Sequence, residues 1–369
     1  MRPLTTPLCQ RLGTVHPVFG FSHSVDVTIA LTRAGGFAVL GVARDDPDHI
    51  RRAIGAVRDA VGARPFGVDL MFPRLAGQEA TVAEVQQQIP QQHRDFVDEL
   101  TARHRVPAAT RPTFFTATVR SAALFEAQLD AVLESDVDLV AAAVGVPPAV
   151  IARIKQRGKI ALALVGSAKH AQAAIGAGVD ALVAQGSDAG GHTGTVGTFS
   201  LVPQVLAVAG TGAGAVPVVA AGGVGHGSQL AAALAMGAQG VWLGTAWLAT
   251  HEHALQDALV KQLLDARSED TVITRSHSGK PCRVIKSGWT REWHAPGAPD
   301  PLPMPYQQAL TGPLVAAVEE HNVQSLLYTP AGQSVAWVTQ REPVQAVVQR
   351  LIEQANAALH HLHDLVGAG

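Results

Sequence analysis

Three glycine-rich stretches hold the residue types best suited to chemistry: "QGSDAGGHTG" (185–194), "AAGGVGHG" (220–227) and "LGTA" (243–246). Each follows a short apolar run. In the first, His192 stands between Gly190-Gly191 and Thr193-Gly194. An imidazole with an ordinary pKa near 6.5 suits proton abstraction around neutral pH. The same placement also fits a plain turn histidine. Asp188 could orient His192 or cap the next helix. The second and third stretches read as turns running into helix N-termini. Bare backbone N–H groups in such turns make an anion site, and glycine lets a phosphate come close. Gly222, Gly223, Gly244 and Thr245 are the candidate ligands, although such glycines also serve simply to close tight turns.

Other histidines carry weaker signals. His226 reads as a turn residue or phosphate neighbour, and His251 and His253 as surface groups on a helix. His23, after the first apolar run, could reach a substrate. The two cysteines, Cys9 and Cys282, lie far apart, and no CxxC or Cys/His cluster reads as a metal site. Two lone cysteines imply no disulfide framework, which suits a reducing cytoplasm.

These loops need a scaffold that brings them together. Eight apolar runs are candidate strands: 16–21, 37–41, 64–72, 138–145, 159–166, 180–186, 216–223 and 240–245. Most are followed by helical stretches such as "DDPDHIRRAIGAVRDAVG" and "PPAVIARIKQRG". The runs are continuous rather than alternating, as parallel strands buried on both faces require. An α/β fold of the (β/α)8, TIM-barrel type is the economical reading, with an open doubly wound sheet as the competitor. No GxGxxG follows the first strand, which counts against a dinucleotide-binding domain. In a barrel, the loops after strands six, seven and eight converge on the active face.

We divide the chain into a barrel over 1–265 and a cap over 266–369. A polar helical excursion of about 73–111 interrupts the barrel. Residues 266–312 are rich in Pro and include Trp289 and Trp293, expected to form an apolar wall over the mouth or a subunit contact in a homodimer. A long amphipathic helix ends the chain and is expected to pack on the barrel. The 36 glycines among 369 residues suit close helix-on-strand packing. A net charge of −2 gives no reason to expect a nucleic-acid partner. The N-terminus lacks a signal-peptide apolar core, and no uncharged apolar run reaches the roughly 18 residues that span a bilayer. A soluble cytoplasmic protein is expected.

The stretches "AQGSDAGGHTG", "VPVVAAGGVGHGSQLAAALAMGAQGVWLGTAWLAT", "RAGGFAVLG" and "RPFGVDL" resemble the nitronate monooxygenase family, also called 2-nitropropane dioxygenases. The resemblance runs from about residue 5 to 265 and weakly beyond. It implies an FMN-dependent TIM barrel that oxidises nitronates or nitroalkanes with O2, giving a carbonyl compound and nitrite. The family also holds NAD(P)H-dependent quinone reductases and enoyl-thioester reductases, so NAD(P)H and CoA-thioester chemistry form the alternative. By position, the resemblance makes His192 the catalytic base. It puts Gly222, Gly223, Gly244 and Thr245 at the phosphate, and Gln185, Gly186 and Gly191 beside the flavin. Gly332 and Gln333 resemble a late Gly-Gln segment near the cofactor.

Three departures stand out. "FGFSHS" replaces the usual Ala-Pro-Met after strand one. Leu164 stands where a polar residue or lysine is common. Asp69 replaces an Asn expected at the flavin; an ionised Asp could only accept hydrogen bonds there.

Overall fold

The computed structural model describes residues 4–72, 82–110 and 122–367; residues 73–81 and 111 of the polar excursion lie outside them. Eight strands close into a parallel barrel: β1 (Val18–Ser22), β2 (Phe37–Gly41), β3 (Gly67–Met71), β4 (Leu139–Ala143), β5 (Ile160–Val165), β6 (Ala181–Gln185), β8 (Val218–Ala221) and β9 (Val241–Leu243). The last strand returns to the first, pairing Val18 with Val241 and Gly20 with Leu243. All eight apolar runs thus become barrel strands, and the open sheet is excluded.

Both faces of each strand are buried, which explains the unbroken apolar runs. One set of side chains, among them Phe19, Phe37, Leu162, Val219 and Trp242, fills the barrel interior, and Leu8 and Leu12 of the first helix join it. The alternate set, with Leu40, Val68, Leu182 and Val218, meets the surrounding helices. Those helices start where the local chemistry predicts. Asp46 caps the helix Pro47–Val61 by accepting from His49 N–H at 2.8 Å, and Pro47 occupies the first turn. Ile50, Ile54, Val57 and Val61 then recur at helical spacing and are buried.

Beyond β9 the chain differs from the expected helix. Thr245–Trp247 forms one 3-10 turn, and the next helix begins only at Asp257. His251 is exposed in the turn between them, whereas His253 is half-buried and not a surface group. A second sheet follows, in the order β10 (Thr271–Thr274), β11 (Cys282–Ile285), β7 (Gly191–His192). Around it lies a second apolar core. It joins Val97 and Leu100 of the excursion helix Gln91–Arg103 to Trp289, Trp293, Leu314 and Tyr328. Two distant stretches of sequence therefore build the cap together.

The last helix, Val344–Gly367, packs on the helix Gly227–Met236 and on Val25–Arg33. Its Val344, Val348, Leu351 and Ala355 belong to the barrel's outer core. The chain leaves the barrel after β9, builds most of the cap, and returns to supply the helix that closes the ring. Leu351→Ala should therefore destabilise the barrel itself. We expect a loss of about 3 kcal/mol in denaturant unfolding, as for other buried leucines.

Candidate active site

The loop that carries His192 is gripped by the cap. Its residues form the two-residue strand β7, antiparallel to β11, pairing His192 with Cys282 and Gly191 with Arg283. Thr193 N–H adds a bond to Pro281 O at 3.2 Å. From below, the Gln185 side-chain amide donates to the His192 carbonyl at 2.8 Å. The imidazole Nε2 lies 2.7 Å from Ser278 Oγ, and Ser278 is buried. Next to it, His277 stacks on Tyr328 with ring centres 4.4 Å apart. Burial first, then the charges of Arg44 and His192, push the His277 pKa down to about 3, so this ring is neutral at physiological pH.

Beneath the loop sits Arg283, buried on β11. Its Nε donates to Ser187 O at 2.8 Å and its Nη1 to Thr271 Oγ1 at 2.9 Å. The neighbouring Asp188 carboxylate offsets part of the desolvation that lowers the Arg283 pKa. Asp188 Oδ2 also accepts from Thr198 N–H at 2.8 Å, and the Thr198 hydroxyl reaches Gly222 O at 2.9 Å. One polar chain thus links the cap, the His192 loop and the glycine turn after β8.

That turn has a shape only glycine fits. Gly222 and Gly223 both have positive φ, 103° and 70°. A Cβ on Gly222 would fall 2.6 Å from Thr198 Oγ1 and 2.9 Å from Gly186 O. The start of the helix Gly227–Met236, expected to offer bare N–H groups, does not. Gly225 and His226 donate to Gln229 Oε1, Gly227 to Gln354 Oε1, and Ser228 to His226 Nδ1. His226 is the helix cap, its ring tilted at 39° against Trp337. By contrast, the N–H groups of Gly223, Val224, Gly244 and Thr245 meet no acceptor among the described residues. Gly244 faces open space, and Thr245 Oγ1 accepts from Gly332 N–H at 2.9 Å while keeping its own proton to donate. Gln333 is tied in by its backbone, donating to Asp188 O at 2.9 Å.

Asp69 lies on β3 between Gly41 of β2 and Ala141 of β4. It shares the inward parity of Gly67, above an interior of apolar side chains. It is 5% exposed, and its Oδ2 has no hydrogen-bond partner. Burial alone raises its pKa from 3.8 to about 8. The expectation of an ionised, accept-only carboxylate is therefore corrected: at neutral pH the group keeps its proton and can donate.

The model of the family described as "Nitronate monooxygenase" matches residues 12–354. The chain belongs to the nitronate monooxygenase family. A Mycobacterium tuberculosis protein named as a "putative monooxygenase" is 37% identical over 98% of this chain and all of its own length. A second from that organism is 34% identical over 77% of this chain and 67% of its own. Its name makes it a dehydrogenase of a hydroxy-methyl-oxo-octahydroindene carboxyl-CoA. Among solved structures, a nitroalkane oxidase from Streptomyces ansochromogenes aligns with a TM-score of 0.79 and 29% identity, over 96% of this chain and 99% of its own. The protein is a flavin-dependent oxidoreductase of this family.

The nitronate monooxygenase fold suits a flavin on two observations from this chain. Unsatisfied backbone donors at Gly223, Val224, Gly244 and Thr245 offer a phosphate seat. The unpartnered Asp69 Oδ2 offers a polar contact inside the apolar barrel end. The other expected residues divide. Gln185, Gly186 and Gly191 sit on or beside the His192 loop. His23 is at the mouth, its Nδ1 2.8 Å from Gly41 O. Close packing, then the Arg44 charge, bring its pKa down to about 4, although one side of the ring remains open.

Trp289 and Trp293 do not form a substrate wall. They are 0% and 3% exposed inside the cap core, and Trp289 Nε1 donates to Ser276 Oγ at 2.9 Å. Sequence reasoning missed Ser278, His277, Arg283 and Thr198. The "SHSGK" run at 276–280 was a visible polar cluster, but nothing in it named His192 as its neighbour.

Burying Asp69 has a pH signature in the flavin-free protein. Its folded pKa, about 8, stands above the ordinary 3.8. Its contribution to stability is therefore complete below about pH 4 and is lost as pH rises through about 8. Asp69→Asn has no such loss. The Tm advantage of the variant over wild type should be small at pH 5 and grow to several degrees by pH 8.5 in calorimetry.

Proposed function

We propose that this protein is an FMN-dependent monooxygenase that oxidises alkyl nitronates and nitroalkanes, using O2, to a carbonyl compound and nitrite. The observation that carries the reading is His192, fixed at the barrel mouth by β11 with its Nε2 2.7 Å from Ser278 Oγ. FMN supplies the two-electron redox chemistry when bound. The N–H groups of Gly223, Val224, Gly244 and Thr245 would hold its phosphate, and Asp69 would meet its ring.

The chain's own residues do the rest. The His192 imidazole takes the α-proton of a neutral nitroalkane, and Ser278 fixes the ring's orientation. The two other imidazoles at the mouth, His23 and His277, are neutral at physiological pH and do not compete as bases of ordinary strength. The positive charge of Arg44, felt by both rings, favours an anionic nitronate. The reading places the enzyme in the cytoplasm, and among the described residues no helix is long and apolar enough to cross a membrane.

A second reading rests on the 34% identical CoA-thioester dehydrogenase. In it, NAD(P)H or the thioester itself exchanges electrons with the flavin. Anaerobic mixing separates the two: bleaching by propyl nitronate supports the first, and bleaching only by NADH, NADPH or an acyl-CoA supports the second.

Two outcomes are expected. The protein should purify yellow, releasing FMN and no FAD on denaturation, because one phosphate seat is built and no adenylate fingerprint is present. Colourless protein that ignores added FMN would remove the reading. His192→Asn should retain flavin yet reduce it about 10²–10⁴-fold more slowly with nitroalkanes, while pre-ionised nitronates are little affected. Stopped-flow flavin reduction measures both, and equal rates for wild type and variant with every substrate would reduce His192 to a turn residue.

A further inference from the structure

We infer that Asp69 meets the flavin as a neutral carboxylic acid, donating its O–H to an acceptor of the ring, so that cofactor affinity falls when that proton is lost. The inference deepens the flavin reading above and rests on it.

The geometry makes the case. The carboxyl stands at the end of β3 with its Cα level with Gly41 and Ala141. Neither flanking residue can offer a side-chain hydrogen bond. Below it the barrel interior is Val39, Leu139, Leu162, Val183 and other apolar groups. One oxygen, Oδ2, has no partner although the residue is 5% exposed. A buried polar atom left unpaired costs free energy, and a ligand that pairs with it recovers that cost. An isoalloxazine ring carries several acceptor atoms and one N–H donor at its pyrimidine end. A protonated Asp69 can serve the acceptors, as the amide N–H of an Asn would. Unlike Asn, it can lose the function by ionising.

The charged and titratable groups around the site leave the proton in place. His23 packs on Gly41 of β2, and Arg44 and Asp45 follow that strand. His192 and His277 come from the cap side, and β4 and β5 contribute none. None of these charges offsets the burial that raises the Asp69 pKa, whose shift has burial as its sole cause. A donated hydrogen bond to a bound ring would hold the proton more firmly still, since ligand and proton then favour each other's binding.

The test is FMN titration of the apoprotein, followed by flavin fluorescence, at pH 7, 8 and 9 for wild type and Asp69→Asn. Ionisation of the FMN phosphate is common to both proteins and cancels in the ratio of their Kd values. The wild-type Kd should weaken relative to the variant's, approaching about tenfold per pH unit above pH 8. Parallel profiles, or a wild-type affinity that improves with pH relative to the variant, would overturn the inference while leaving the flavin reading intact. Absence of FMN binding in both proteins at every pH would overturn the flavin reading and the inference together. If Asp69→Asn fails to fold, infrared difference spectra of the wild type decide. A protonated-carboxyl C=O band present at pH 7 should shift when FMN is added and disappear at high pH. A band that FMN leaves unmoved, or no such band at pH 7, would count against it.

Discussion

The two-residue ladder between Gly191-His192 and Cys282-Arg283 is the contact on which the site depends. A loop this rich in glycine has little conformational preference of its own. Left alone after β6 it would sample many arrangements, and an imidazole at its tip would have no fixed direction. Pairing with β11 supplies a backbone template, and the Arg283 side chain fixes Ser187 O beneath it. The cap sheet is thus the reason His192 has one position. A side chain whose direction is set in advance has less entropy to lose when it meets a ligand.

The same tie transmits to the glycine turn after β8. Asp188 stands near Arg283, accepts from Thr198 N–H, and gives its carbonyl to Gln333 N–H. Thr198 then braces Gly222. Nearby, close packing makes bulk intolerable: a Cβ on Gly332 would lie 2.7 Å from Asp188 O. The His192 loop and the glycine turn after β8 are therefore two ends of one packed assembly, although no element of the barrel alone contains both.

Much of the barrel was legible in the sequence because parallel strands buried on both faces leave long apolar runs, and helix caps such as Asp46 and Pro47 mark the intervening starts. The stretches that carry His192, Gly222, Gly223 and Gly244 were legible as turns after strands, because positive φ and close packing at Gly222 and Gly223 call for glycine. What could not be read was long-range pairing. Nothing in "KPCRVIK" says that its strand will pair with residues 191–192, so Arg283 and Ser278 gave no local signal. The tryptophans misled for a related reason. Apolar residues in a Pro-rich stretch look like a wall until the excursion helix Gln91–Arg103, far away in sequence, is seen to cover them. Asp69 was read with its solution charge because ionisation depends on how many strands enclose a residue, which only the closed barrel determines.

The chain order gives the arrangement a thermodynamic consequence. The helix Val344–Gly367 belongs to the barrel's outer core, yet it follows the cap strands in sequence. The ring around the barrel cannot be completed until the intervening segment has turned back across the mouth. The two ends of that segment meet at the Thr250↔Glu342 bridge, where His251 N–H also donates to Glu342 O, and Gly332 N–H meets Thr245 Oγ1. A cap inserted this way is tethered at both ends, and it holds the barrel loops as well, through the β7–β11 ladder, Arg283 on Ser187 O and Gly332 N–H on Thr245 Oγ1. Loop closure of the insert is paid once, when the last helix docks, and grows slowly with insert length. Substitutions in the cap away from these ties reshape the mouth, while the strands that enclose the buried Asp69 keep their places in the barrel.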